Sequence, residues 1–176
     1  MKIIFALSIV ILSSCINTTN NEKSTFEPPP KVVYEIIDSF STNLILEHLK
    51  QDLTEIESIK KMLINQQECW NNLDIDGFMR GYWNSEELIF TSLNHQPTYG
   101  WQATLERYKN SYPTKESMGE FRFETYDIEI TSKKTAILNG KWELVRINDH
   151  PQGNFWLNLE KFENNWLIVK DSTTSF

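Results

Sequence analysis

The sequence predicts an α+β domain in which helices come first and antiparallel strands follow. Three observations carry this. Between residues 54 and 71, Ile56, Ile59, Leu63, Gln66 and Trp70 recur at helical spacing, and Met62 and Cys69 widen the stripe. After Pro113, four segments (120–131, 135–147, 153–162 and 166–174) alternate apolar and polar residues with a period of two. Turn material separates them: Ser132-Lys133-Lys134, then Asn148 to Gln152, then Asn164-Asn165.

The first 15 residues, MKIIFALSIVILSSC, read as an export signal. Lys2 supplies the positive start, and residues 3–12 form an apolar run broken only by Ser8. Such a run is too short for a permanent membrane span, which takes about 20 apolar residues. Its end, Leu12-Ser13-Ser14-Cys15, resembles the lipobox of bacterial lipoproteins. That resemblance implies lipidation at Cys15, cleavage before it and a place in the cell envelope; the alternative is a simple secretory peptide. Residues 16–31 are polar with Pro28-Pro29-Pro30, a composition that resists collapse and stiffens the chain into a tether. Residues 32–53 show helical spacing in Val33, Ile36, Ile37 and Phe40 and read as a helical extension.

Thr54 with Glu57 fits a capping box, so the first core helix is expected over 54–71. Asp74 and Asp76 precede a short helix over 77–83, where acidic side chains suit the positive helix end. Its two glycines require packing to hold it. A strand over 87–93, a turn over 96–100 and a third helix over 101–110 complete the first half. In the strand over 135–147, Ala136, Leu138, Gly140, Trp142 and Leu144 share one face, so one side of the sheet packs on the helices. The other face keeps Ile137, Val145, Trp156 and Phe162, which suggests a homodimer through the outer sheet face.

Composition excludes several functions. A formal net charge of -7 argues against nucleic acid, and the scattered Lys and Arg form no polybasic membrane patch. His48 and His150 lack ligand-spaced partners, and His95 lies in the loop over 93–97 at a strand end, as a functional or a solvated side chain, so no metal is expected. Gly-rich phosphate loops and nucleophile elbows are missing, and no cofactor is expected. With Cys15 lipidated, Cys69 is the only thiol left and reads as a structural one.

The element order resembles that of the SnoaL-like domain in the nuclear transport factor 2-like superfamily, which also holds ketosteroid isomerase. Local phrases carry it: Cys69-Trp70-Asn71-Asn72-Leu73-Asp74-Ile75-Asp76-Gly77-Phe78, then Tyr99-Gly100-Trp101-Gln102, and the closing run Trp166 to Ser175. The resemblance covers about residues 54–176. It implies a cone-shaped barrel made by a strongly curved antiparallel sheet packed against three N-terminal helices. Ser172 stands where many relatives carry His, so no imidazole role is carried over.

Inside such a cone Tyr82, Phe90, Tyr99, Trp101, Trp142 and Phe155 are expected to converge as an apolar pocket, or to fill it. Asp171 follows Leu167 and Val169 at period two, and Arg146 follows Trp142 and Leu144, which puts both near the open end. Asp171 is then a candidate acid or base and Arg146 a clamp for a ligand carboxylate, or the two form a plain ion pair or separate solvated strand ends. The first expectation is a tethered domain for a small apolar or carboxylate-bearing ligand. The second is an isomerase, cyclase or dehydratase using Asp171 with Tyr82 or Tyr99; the third is an interaction module with a filled cone.

Overall fold

The computed structural model describes residues 31–176 apart from Asn94, with side chains from Ser39 onward. Cys15, the export signal and residues 16–30 of the tether lie outside the described residues. The chain divides into two compact units, Met1–Phe40 and Ser41–Phe176. In the first, residues 31–40 are helical.

One helix, α1, runs through Lys31–Asn71 without a break. Thr54 does not start it. Its hydroxyl donates back to the Lys50 carbonyl at 3.0 Å, as helix-interior threonines do, because the preceding turn is already helical. The expected capping box at Thr54 is therefore corrected. The predicted apolar stripe is the buried one, with Ile59, Leu63, Gln66 and Trp70 at most 6% exposed.

Two polar clamps fix α1 to the sheet. The Glu55 carboxylate accepts from Lys161 Nζ at 2.7 Å and from Trp166 Nε1 at 2.8 Å. At the other end, Asn71 Nδ2 donates to the Phe121 carbonyl at 3.1 Å, and the Phe121 amide returns a bond of 2.7 Å to Asn71 Oδ1. An amide side chain pairing both backbone groups of one residue pins the chain at that point.

The short helix α2, Ile75–Phe78, passes into a single 3₁₀ turn, Met79–Gly81. Asp74 caps it by accepting from the Gly77 amide at 2.7 Å. A Cβ at Gly81 would run into the Gln66 side chain, whose Nε2 donates to the Phe78 carbonyl at 2.9 Å. A side chain at this position would have to displace Gln66 from its bond to Phe78. Helix α3 is Trp101–Ser111, and α4, Lys115–Met118, is a further short helix capped reciprocally by Thr114 and Ser117.

Six strands form one sheet: β1 Ile89–Ser92, β2 Thr98–Tyr99, β3 Glu120–Ser132, β4 Thr135–Val145, β5 Gln152–Phe162 and β6 Asn165–Thr173. Their order is β2-β1-β6-β5-β4-β3. The last four pair antiparallel as expected. Two features differ from the expected antiparallel barrel. β1 lies parallel to β6, making the sheet mixed, and the sheet stays open. The part of the turn over 96–100 that contains Tyr99 is β2, an edge strand on β1.

A break in register shapes the site. Leu159 pairs with Ile168, but Asn158 pairs with Lys170, so Val169 is an extra residue in β6. Such a bulge bends a strand and shifts its side-chain parity. Trp166 and Ile168 face the core before it, and Asp171 faces the core after it. Strict alternation through Leu167 and Val169 would have chosen the wrong parity, and the bulge is what turns Asp171 inward.

Candidate functional site

Asp171 is a buried carboxyl, 5% exposed, on an apolar sheet face that includes Leu138, Phe155, Leu157 and Ile168. Its cross-strand neighbour is Leu157. The chain delivers Tyr82 to it directly. Leaving the 3₁₀ turn, Tyr82 makes a parallel bridge with Ile168, and the next amide, Trp83, donates to the Ile168 carbonyl at 3.0 Å. That strap sets the Tyr82 hydroxyl 2.7 Å from Asp171 Oδ2, to which it donates. From α3, the Tyr108 hydroxyl lies 3.3 Å from that of Tyr82. Three polar groups from three elements thus form a chain within an aromatic cluster.

Burial sets the charge states. Removal from water pushes the Asp171 carboxyl up from 3.8 to about 7, against a smaller downward pull from the Tyr82 hydrogen bond. Both tyrosine hydroxyls are pushed well above 10, first by burial and then by the neighbouring Asp171 charge. At neutral pH the tyrosines are protonated, and Asp171 changes charge close to neutrality. Asp171 Oδ1 is buried and has no hydrogen-bond partner in the protein. An unmatched oxygen in a buried site points to something else that satisfies it.

Beside this chain lies a cavity of about 130 Å³. Four of the expected aromatic residues, Tyr82, Phe90, Trp142 and Phe155, line it together with Asp171. Around them Trp70, Phe78, Tyr108 and Tyr112 pack edge to face at centroid distances of 4.8 to 6.1 Å. Such edge-to-face contacts keep ring edges and faces in complementary register, giving a rigid wall.

Three expected residues fall elsewhere. Tyr99 is 62% exposed, because β2 is an edge strand whose side chain has no layer above it. Trp101 is half-buried at the start of α3, where its Nε1 donates to the Met79 carbonyl at 3.0 Å and serves helix packing. Arg146 lies beyond the end of β4, paired with Asp149 at 3.7 Å and stacked 5.8 Å over the Tyr112 ring. It lines the outer groove near Lys115 and Glu116, and it does not pair with Asp171. The expected inward clamp is corrected: alternation stops where the strand stops.

Tyr108 and Tyr112 were missed by the sequence reading. The signal was present, since Trp101, Thr104, Leu105, Tyr108 and Tyr112 repeat at helical spacing and Thr104 and Leu105 are buried. His95 and His150 are exposed, and His48 stands 3.7 Å from Asp52 on the surface of α1. Among the described residues, no group of three or more His, Cys, Asp or Glu side chains is placed to hold a metal ion.

Fold and cavity together define an α+β cone protein with a single acid set in an aromatic wall. This chain belongs to the nuclear transport factor 2-like family. It shares 39% identity with a solved NTF2-like protein of unknown function from Shewanella oneidensis, at a TM-score of 0.65. That match covers 68% of this chain and 98% of the other. A ketosteroid isomerase-like protein from Erwinia carotovora atroseptica matches at 15% identity and TM-score 0.59, over 69% and 96% of the two chains. A proposed scytalone dehydratase from Novosphingobium aromaticivorans matches at 12% identity and TM-score 0.57, over 73% and 88%. The last two show the fold alone. No protein-family profile matches the chain, and no curated protein does.

Proposed function

We propose that this domain binds one small, largely apolar molecule in the cone and fixes it by a hydrogen bond to Asp171. The unpartnered Oδ1 of a buried carboxyl facing a cavity carries this reading. A cavity of about 130 Å³ suits a ligand of about one ring, since an engineered apolar cavity of about 150 Å³ takes up benzene. The ligand offers a hydroxyl or amine when Asp171 is ionised, or an acceptor oxygen when it is protonated. Leu12-Ser13-Ser14-Cys15 supports a lipid anchor that would hold the domain in a bacterial envelope.

The experiment is native mass spectrometry of the purified chain, followed by titration of whatever co-purifies into the Asp171→Asn and Leu157→Phe variants. Leu157→Phe fills the cavity and is expected to abolish binding; Asp171→Asn is expected to weaken it by about tenfold or more, the value of a charge-assisted hydrogen bond. Binding unchanged by both sinks the pocket reading. Transfer of Cys15→Ser from the membrane fraction to the soluble fraction tests the anchor.

A second reading follows from the charge state. A carboxyl poised near 7 that accepts from the Tyr82 hydroxyl, itself 3.3 Å from that of Tyr108, is matched to proton transfer at neutral pH. Relatives of this fold bear isomerase-like and dehydratase names. In this reading Asp171 moves a proton of the bound molecule, and the Tyr82 and Tyr108 hydroxyls steady the charge it leaves. Turnover of the co-purified compound that follows an apparent pKa near 7 and vanishes in Asp171→Asn supports it; binding with no turnover removes it.

A further inference from the structure

The polar groups that line the cavity have almost all of their protons committed elsewhere. Gln66 Nε2 donates to the Phe78 carbonyl at 2.9 Å, Trp70 Nε1 to the Met118 carbonyl at 3.3 Å and Trp142 Nε1 to the Thr174 carbonyl at 3.1 Å. Thr173 Oγ1 donates to the Asn154 carbonyl at 3.2 Å. Tyr82 gives its proton to Asp171, so the proton in the 3.3 Å contact between the two tyrosines is that of Tyr108. Of the lining donors, only the Tyr112 hydroxyl has no acceptor among the described residues. What remains is acceptor capacity. Asp171 Oδ1 has no partner, and Gln66 Oε1, whose place is fixed by the Nε2 bond to Phe78, receives no hydrogen bond from the described residues. The two side chains are 5% and 3% exposed, so bulk water does not serve them. The wall adds a second signal. Ten of the lining side chains are Trp, Tyr or Phe, and Asp171 is the only charged one. Ring faces are negative and attract cations, those of Trp most strongly.

We infer that the cavity is a site for a small organic amine, held as its ammonium ion by Asp171, Gln66 and the aromatic wall. This rests on the reading of the cavity as a ligand site and names the chemical class of the ligand. An ammonium only donates, which matches the two free oxygens, and it supplies the counter-charge that a buried carboxylate needs. An alcohol supplies a proton but no charge. A carboxylate, the other class expected from the sequence, sets a second negative charge beside Asp171, with one free hydroxyl to receive it. Asp171 has no cation of its own among the described residues. Tyr82, Tyr108 and uncharged Gln66, Phe90 and Leu157 face it from the neighbouring elements. The nearby guanidiniums belong to Arg107, 4.9 Å over the Phe90 ring and bonded to Ser92 Oγ at 2.9 Å, and to Arg146 over Tyr112; neither lines the cavity. The net charge of -7 favours the approach of a cation.

The test uses the full chain with Cys15→Ser and a probe set on one ring: cyclopentylamine, which has as many non-hydrogen atoms as benzene, cyclopentanol and cyclopentanecarboxylate. Calorimetric titration at pH 8 is expected to show the amine binding about tenfold or more tighter than the alcohol, with the carboxylate weakest. Below about pH 7 a proton competes for Asp171, so the amine's affinity is expected to fall about tenfold per pH unit while the alcohol's changes little. Carbon-13 titration of the Asp171 carboxyl is expected to show its midpoint lowered by about one unit or more with the amine bound. Asp171→Asn is expected to remove the preference for the amine, and Leu157→Phe to abolish binding of every probe. An alcohol or carboxylate bound as tightly as the amine overturns the ammonium assignment and leaves the pocket standing. An amine preference that survives Asp171→Asn, or amine binding that survives Leu157→Phe, overturns it as well. Failure of every probe to bind also overturns the assignment, and the pocket reading is then decided by the co-purified compound.

Discussion

Replacing Asp171 by Asn tests the chemistry of the site through stability alone. Asn keeps the shape and can still accept from Tyr82, but it cannot ionise. In the native protein the Asp171 carboxyl sits at about 7 against an ordinary 3.8, because burial penalises the charged form. A raised carboxyl contributes its stability fully below the unfolded value and loses it as the pH rises toward the folded value. Against Asp171→Asn, the parent chain is therefore expected to lose about 1.4 kcal/mol per pH unit between about pH 4 and pH 7, about 4 kcal/mol in all. Outside that window the difference is flat, and the comparison cancels every other titrating group. Urea unfolding of both proteins at pH 4, 5.5, 7 and 8.5 measures it, and a carbon-13 titration of the Asp171 carboxyl gives the midpoint directly. Parallel stability curves across that range would refute the burial argument.

Three more outcomes follow from the same geometry. Tyr82→Phe removes the donor on Asp171 Oδ2, so the Asp171 midpoint is expected to move further up and the fold to lose about 1–3 kcal/mol, read by the same titration and by urea unfolding. Glu55→Gln weakens the clamp between α1 and the sheet and is expected to cost about 1–3 kcal/mol at pH 7. The Lys161 hydrogen bond holds Glu55 below its ordinary value, so that cost is present above about pH 5 and shrinks as the pH falls through the carboxylate range; thermal unfolding at pH 7 and pH 3.5 checks it. Gly81→Ala drives a methyl into the Gln66 side chain and is expected to cost about 1–3 kcal/mol, with the Tyr82 strap loosened and Trp fluorescence altered.

The heptad-like stripe from Ile59 to Trp70 and the period-two strands after Pro113 made the α+β class readable, because one-sided burial imposes a period on each element. The same logic placed Trp142 and Phe155 on the inner face of the sheet. It failed wherever a side chain's direction depends on a break in the period. Arg146 was assigned inward by counting beyond the last paired residue, Val145, where no ladder enforces alternation. Tyr99 was counted as a wall residue because turn chemistry says nothing about which sheet edge a two-residue strand will join. Thr54 looked like a cap because a capping signature is local, whereas the helix is set by the residues before it.

By itself the sequence determined the order of the main helices and long strands, the buried stripe of α1 from Ile59 to Trp70, the inner faces of β4 and β5, and a stock of aromatic residues with very few polar ones to share a core. Only the tertiary structure decided that Val169 is an extra residue in β6, that β1 joins that strand in parallel, and that the 3₁₀ turn straps Tyr82 to Ile168. Those three choices bring Asp171, Tyr82 and Tyr108 together at the cavity. The parallel pairing and the strap join segments some 80 residues apart in the chain, and the extra residue is a slip in the register of the β5–β6 hairpin; a local period carries no record of either.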